Sequence, residues 1–442
     1  MEIKKKSSII SPILKKRIKR FTKIKRGYYS FLLIVGLYIL SFFAEFFING
    51  NAIFLKFEDN YFFTAYSTNA FKQQIFSKAT LLGKKLSTAK QYAGADNSTI
   101  YDLKQKFLVA QEKYNNALKG DDERKRRILE RSLDTARNVY NWAEELKNAS
   151  TEDILTLEKD YEYFKSVKEN VMSHRMLKKV FKKEGRGDKL LLPLYSYGPN
   201  ENLLDELRTQ PPTPPSERNW LGTDDRGRDI LARMIYGFRL SISFALTLIF
   251  VGYIIGVIVG SIVGYYGGKL DLITMRLIEV WSSMPFLFTV MIISSMLMPN
   301  FWLLVILLSL WNWIGTAWYI RAEFLREKNR DYVHAAQAIG VSDAKIIFRH
   351  ILPNSLTPLI SFLPFSIISG IGSLVSLDFL GFGLPEPTPS WGQLLSVGVT
   401  NIQAWWIAVS PILAMFFTLL LVTFIGEAIR EAFDPKVYSR LR

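Results

Sequence analysis

Apolar residues gather in six runs along the chain, at roughly 28–48, 239–266, 279–298, 301–322, 355–377 and 405–427. Each is about the length that crosses a bilayer as a helix. The first run stands alone, and the other five follow one another after a polar region from 49 to about 235. The pattern predicts an all-α polytopic membrane protein with six transmembrane helices and a large extracytoplasmic helical insertion between the first and second. The domains then read as a basic cytoplasmic tail 1–27, helix 28–48, an extracytoplasmic region 49–235, and a core 236–442 that holds five helices and a cytoplasmic loop 323–353.

The polar region has its own period. Leu103, Phe107, Ala110, Tyr114 and Ala117 are spaced 4-3-4-3, as are Leu129, Leu133, Ala136, Tyr140 and Ala143, with Gly120 between the two sets. That spacing predicts two amphipathic helices folded back as a hairpin or coiled-coil pair, inside an insertion of about 72–185. A third helical stretch, about 152–183, carries Leu157, Tyr161 and Phe164 and then turns basic. The prolines of "TQPPTPPSERNW" predict a stiff linker over 209–216 that returns the chain to the membrane.

Charge fixes the expected orientation. Eleven Lys and Arg face Glu2 alone in the first 26 residues, so most of the net +16 sits in front of the first apolar run. A basic flank holds that end in the cytoplasm, and this location argues against nucleic acid as the partner of the charge. The first run is too long, and lacks the small-residue cleavage site, for a removed signal peptide. Counting six crossings places both termini inside, beside membrane lipid. Loop 321–350, with six basic residues against four acidic, then lies inside, and 378–404, with Asp378 and Glu386 and no basic residue, lies outside.

Little in the chain suggests chemistry. There is no cysteine, and His174, His334 and His350 are scattered, so no metal site is expected. "YYGGKLD" lacks the leading Gly and the Ser or Thr of a phosphate-cradling loop, and no nucleophile stands beside a base. Glu45 and Glu279 are the acids nearest the apolar runs. The expectation is a transporter subunit rather than an enzyme, with no catalytic residues. Gly252, Gly256, Gly260 and Gly264 recur every fourth residue, so one helix face is bare enough for close packing.

The segment "DYVHAAQAIGVSDAKIIFRHILPN" is polar and small between two apolar runs. It predicts a short helix to Ile339, a break at Gly340, and a second short helix capped by Ser342 or Asp343 that Pro353 closes. Ala335 and Ala336 leave a bare face that suits a groove on a soluble partner, and from spacing alone a plain surface loop is as good a reading.

This segment resembles the cytoplasmic loop of binding-protein-dependent ABC-importer permeases of the oligopeptide and dipeptide branch, nearest to its Yej type. Ala335, Ala336, Gly340, Leu352 and Pro353 match the pattern E-A-A-x3-G-x9-I-x-L-P, while His334 replaces the Glu and His350 the Ile. Gly222, Thr223, Asp224, Gly227, Arg228 and Asp229 resemble the branch's Gly-Thr-Asp-x-x-Gly-Arg-Asp signature. "LDFLGFGLPEPTPSWGQLL" and "GEAIREAFDPK" are similar to its outer and C-terminal segments. The likeness covers 28–60 loosely and 190–442 closely, and leaves 72–185 unmatched.

The resemblance implies a type I importer bundle in a bacterial inner membrane that takes up oligopeptides or dipeptides, microcin C-like peptides included. It implies a second related permease and two ABC ATPase subunits, or one fused ATPase, that dock on loop 334–353. It further implies an extracytoplasmic peptide-binding protein. No cofactor is expected on this chain, since ATP and magnesium belong to the ATPases. His334, Ala335, Ala336, Gly340, Leu352 and Pro353 are the expected ATPase-coupling residues. The alternatives are a membrane-anchored coiled-coil scaffold and a mechanotransmission-type ABC component that recruit partners outside.

Overall fold

The computed structural model describes residues 12–118, 122–207 and 209–433. Lys4, Lys5 and Lys6 of the basic tail, Gly120 of the hairpin break and residues 434–436 of the C-terminal segment lie outside them. In chain order the elements are α1 (Pro12–Phe21), α2 (Lys25–Ser41), α3 (Ala44–Phe47), β1 (Phe54–Phe57), β2 (Asn60–Phe63), α4 (Asn69–Tyr92), α5 (Asn97–Ala117), α6 (Glu123–Leu146), α7 (Thr151–Asn170), α8 (His174–Glu184) and β3 (Lys189–Leu191). There follow α9 (Ile230–Tyr266), α10 (Gly268–Ser282), α11 (Phe286–Met296), α12 (Phe301–Glu327), α13 (Asp331–Ala338), α14 (Asp343–Lys345), a π turn (Ile346–Ile351), α15 (Leu352–Phe379), α16 (Trp391–Thr400) and α17 (Trp405–Phe433). The chain divides into two compact units, one of 1–44 with 197–442 and one of 45–196. Residues 197–229 thus pack with the apolar helices.

Among the described residues of the first unit, four helices are long and apolar enough to cross a membrane: α9, α12, α17 and the continuous helix Asp343–Phe379 that α14, the π turn and α15 form together. The pair α10 and α11, bent by 68°, makes a fifth if taken as one span. The run expected as a straight span over 279–298 is therefore broken. Pro285 donates no N–H and biases the residue before it away from helix, so the helix stops at Ser282 and restarts at Phe286. The run expected over 28–48 is helical as α2 for 17 residues, then turns at Phe42 and resumes briefly as α3. Part of the expected tail is helical too, as α1, where the Arg17 guanidinium lies 4.9 Å from the Phe433 ring.

The glycine stripe of α9 faces α12. A Cβ added at Gly252 would lie 2.5 Å from the Asn312 amide, at Gly256 2.6 Å from Thr316 Cβ, at Gly260 2.6 Å from the Ala317 carbonyl, and at Gly264 2.6 Å from Phe324 Cβ. The two backbones therefore approach closely from Gly252 to Gly264, a little over three turns.

The second unit corrects the all-α expectation, because it holds a three-stranded antiparallel sheet in the order β2-β1-β3. β1 and β2 join through Glu58 and Asp59, both at positive φ, the twist of a two-residue hairpin turn. Leu55, Phe57, Phe62 and Leu190 turn inward onto α4, α7 and α8, around a core with Phe71, Ile75, Phe164 and Leu177. α5 and α6 pair as a helical hairpin, with Leu103, Leu133 and Ala143 buried and the Phe107 and Tyr140 rings stacked at 6.0 Å.

Candidate functional site

Two regions at opposite ends of α9 bring sequence-singled residues together. The first is the loop after α12. α13 ends in a Schellman turn: the Gly340 N–H donates to the Gln337 carbonyl at 3.0 Å and the Val341 N–H to the Ala336 carbonyl at 3.0 Å. Gly340 sits at φ +77°, where a side chain would be strained. His334 and Ala335 are exposed, Ile339 is 81% exposed, and Gly340 is open.

Ala336 is different. It is buried with Val333, Ile346, Ile347, Ile351 and Phe324, so it anchors the helix and does not share Ala335's bare face. The two alanines are adjacent in sequence, and a helix turns about 100° per residue. The expected second short helix does not stop at Pro353. It runs on without a break from Asp343 to Phe379, and Leu352 and Pro353 lie in the first turn after the π segment. A wider turn just ahead of the proline accommodates the missing N–H and the ring. Neither proposed cap acts as one. Ser342 occupies the N-cap position without a side-chain hydrogen bond, while Asp343 accepts from the Tyr265 hydroxyl at 2.7 Å, tying the loop to the end of α9.

Two further supports escaped the sequence reading. Glu323 and Glu327 in the last turns of α12 are buried. Arg326 pairs with Glu323 at 2.5 Å, and Glu327 accepts from the Tyr332 hydroxyl at 2.9 Å. Their i, i+4 spacing was visible, but only the fold shows that they point inward beneath α13. Arg321 forms a two-pronged pair with Asp271 of α10.

The second region is a collar at the Ile230 end of α9. Thr223, Asp224, Arg228 and Asp229 are almost fully buried. The Asp224 carboxylate accepts from the Arg226 N–H at 3.0 Å, the Arg228 N–H at 2.9 Å and Arg228 Nε at 2.7 Å. Asp229 caps α9 through the Ala232 N–H at 2.8 Å and accepts from the Asn219 amide at 2.8 Å. Gly222 is at φ +75°, and a Cβ there would meet the Thr213 carbonyl at 2.6 Å. Gly227 is also at positive φ, where Leu207 and Pro211 pack on it.

Arg233 and Glu386, which the sequence motif does not contain, complete the collar. Arg233 is 1% exposed and donates to the Pro199 carbonyl at 3.2 Å and to Gln393 Oε1 at 3.3 Å. Glu386 pairs with Arg226 and lies 3.6 Å from Arg228. Trp391 donates from its indole to the Met234 carbonyl at 2.9 Å, and Asp378 accepts from the Leu384 N–H at 2.7 Å and from the Ser390 hydroxyl. These contacts fasten the 384–393 segment to α9 through Trp391 and to the end of α15 through Asp378. Between the two regions, α9 and α15 form an apolar groove of about 710 Å³ that includes Phe250, Tyr253, Leu359 and Leu363. It offers shape and apolar surface and no charged group.

The arrangement defines a multi-pass helical membrane protein, braced by ion pairs at one end and bearing a partly bare loop at the other. The family model described as "Binding-protein-dependent transport system inner membrane component" matches residues 252–439. The chain is 52% identical over 224 residues to the inner membrane ABC transporter permease protein YejE of Escherichia coli K12, covering 51% of this chain and 66% of that one. It is 47% identical over 218 residues to the peptidoglycan transport system permease protein YejE of Agrobacterium fabrum, covering 49% and 57%. It is 32% identical over 238 residues to the dipeptide transport system permease protein DppC of Bacillus subtilis, covering 53% and 74%. The chain belongs to the family of binding-protein-dependent transport system inner membrane components.

Proposed function

We propose that this chain is the permease subunit of an ATP-driven importer of oligopeptides or dipeptides, microcin C-like peptides among them. The observation that carries the proposal is the α13 loop. Its exposed side presents His334, Ala335, Ile339 and Gly340, and its buried side is pinned to α9, α12 and the π turn. A rigid knob of this kind transmits a push from a docked partner to two spans at once. ABC ATPase subunits, separate or fused, would seat on it and would bind the ATP and magnesium. A second related permease would complete the bundle, and an extracytoplasmic binding protein would deliver the peptide. The names of the relatives support a permease role, and two of them point to dipeptide and peptidoglycan cargo.

In this reading the chain crosses a bacterial inner membrane six times, with both termini and the α13 loop in the cytoplasm and the 45–196 unit outside. α2 counts as the first span, since 17 residues reach ~26 Å of a hydrocarbon core of ~30 Å. The bent α10–α11 pair counts as the third. The burial of Ala336 moves the docking test to its neighbour. Ala335→Trp, co-expressed with the permease and ATPase partners, should lower peptide-stimulated ATP hydrolysis at least tenfold while thermal stability is unchanged. Normal hydrolysis in that variant would remove the loop from the interface. Stimulation by muropeptides and not by plain oligopeptides would keep the permease and change the cargo.

A further inference from the structure

The sheet of the 45–196 unit has a face that its core does not use. The strand register sets Phe63, Phe54 and Leu191 in one cross-strand row, and Tyr61, Lys56 and Lys189 in the next. The first row is 54%, 41% and 60% exposed, and Tyr61 is 65% exposed. A sheet with one face on a core and one in water ordinarily alternates apolar inside with polar outside. Here the outward face is apolar in one row and aromatic with two lysines in the row two residues further along β1, ~7 Å away. The Phe54 and Tyr61 rings stack at 5.5 Å, and the Lys56 ammonium lies 5.9 Å from the Tyr61 ring.

The apolar row is also continuous with the start of the unit. Phe46 of α3 packs against Phe63 at 6.0 Å and Tyr66 at 5.8 Å. Phe46 lies five residues after the last residue of α2, so this string of rings begins where the chain has just left that helix. Phe and Leu next to Tyr and Lys, graded along one direction, match the boundary between acyl chains and headgroups. There an aromatic ring sits at its amphipathic depth and a lysine keeps its ammonium in the headgroup layer.

We propose that this outward sheet face is a membrane-interface patch, and that it seats on the phospholipid surface of the bilayer that α2 enters. The Phe63–Phe54–Leu191 row meets the acyl boundary and Lys189 meets lipid phosphate, while Lys56 stays paired with the exposed Asp59 at 2.9 Å. The proposal rests on α2 being a span. A second copy of the chain or a soluble partner is the competing occupant, and neither requires the gradation from apolar to cationic.

The absence of cysteine makes the test direct. Single variants Phe63→Cys, Leu191→Cys, Tyr61→Cys and Lys182→Cys of the full chain carry a nitroxide label. They are reconstituted in vesicles of phosphatidylethanolamine and phosphatidylglycerol. Lys182 is exposed on α8, which packs against the core side of the sheet, so it serves as the aqueous reference. The ratio of collisions with oxygen to collisions with a water-soluble nickel chelate should be several-fold higher at 63 and 191 than at 182, with 61 between. Values at 63 and 191 equal to that at 182 would overturn the patch, as would exclusion of both quenchers from an immobilised label, which reports a protein occupant. A label at Leu37→Cys in α2 judges the span separately: water-like collisions there refute the span, whatever the sheet positions show.

Discussion

Removing the Asp224 carboxylate is expected to cost more than removing the arginine it holds. Asp224 is fully buried and accepts three hydrogen bonds, two from backbone N–H groups and one from Arg228 Nε. Arg233, 1% exposed, has its Nε 3.7 Å from the same carboxylate. Asp224→Ala leaves two guanidinium groups in a dry site without their shared partner, and it unties the turn from 224 to 228. Breaking one side of a buried ion pair costs about 3–5 kcal/mol. Arg228→Ala leaves the carboxylate with both backbone donors and Arg233, so its loss is about 1.5–3 kcal/mol, that of a charged hydrogen bond. At roughly 2–4 °C per kcal/mol for a body of this size, Asp224→Ala should lower the Tm by about 10 °C and Arg228→Ala by about half that. The assay is the fraction remaining monodisperse after heating in detergent. The double variant should fall short of the sum, because the second change removes a charge that the first left unpaired. A Tm for Asp224→Ala within the error of the unaltered protein, or a larger loss for Arg228→Ala, would refute the collar as a structural brace. Loss of uptake at normal stability would make it a contact surface instead.

Three other outcomes are expected. His174 is fully buried, its Nδ1 accepts from the Ala52 N–H at 2.7 Å, and burial, then Lys72 and Arg175, pull its pKa down to about 4 from 6.5. The unfolded chain binds the proton first, so the 45–196 unit keeps its full stability above pH 6.5 and loses it towards pH 4, by about 2 kcal/mol at pH 5. Hydrogen-exchange protection in α7 and α8 should drop accordingly at pH 5, and stay level if His174 does not couple. Gly256→Leu must push α9 and α12 apart and should cost about 1–3 kcal/mol, whereas Gly36→Ala, with nothing within 4 Å of its Cβ, should not lower the Tm. Tyr265→Phe removes the bond to Asp343. It should lower stimulated ATP hydrolysis while shifting Tm by little, and equal activity would show that this tie carries no coupling.

The sequence was most legible where local pattern decides structure. A glycine every fourth residue can only form one bare helix face, and two heptad-spaced sets around a charged break pair as a hairpin. It was least legible where the third dimension decides. The period that identified Ala335 and Ala336 could not say which of them points into the cluster of Val333 and Ile351. Pro353 reads as a stop because a proline past the first turn removes a helix hydrogen bond, yet the helix continues through the π turn that precedes it. Hydropathy windows register composition and miss bends, so the break at Pro285 was hidden inside an apolar run. The sheet was missed because its strands are three or four residues long and turn on Glu-Asp rather than Asn-Gly. Arg233 and Glu386 stand 153 positions apart, and only the closure of the bundle makes them neighbours of one carboxylate network.

α9 and the helix from Asp343 to Phe379 are the same length, 37 residues each. They are fastened at one end through Tyr265 and Asp343, further along through the Tyr253 and Ser366 hydroxyls at 2.8 Å, and at the far end through the start of α16, where Trp391 donates to Met234 of α9 and Ser390 to Asp378 of α15. In engineering terms they are two equal bars with three cross-pins. Ties of this kind oppose sliding of one bar along the other, even though Pro358 and Pro364 each remove a helix hydrogen bond from the second bar. Any rearrangement that keeps these ties and the glycine-lined contact of α9 with α12 must therefore carry α9, α12 and the Asp343–Phe379 helix together.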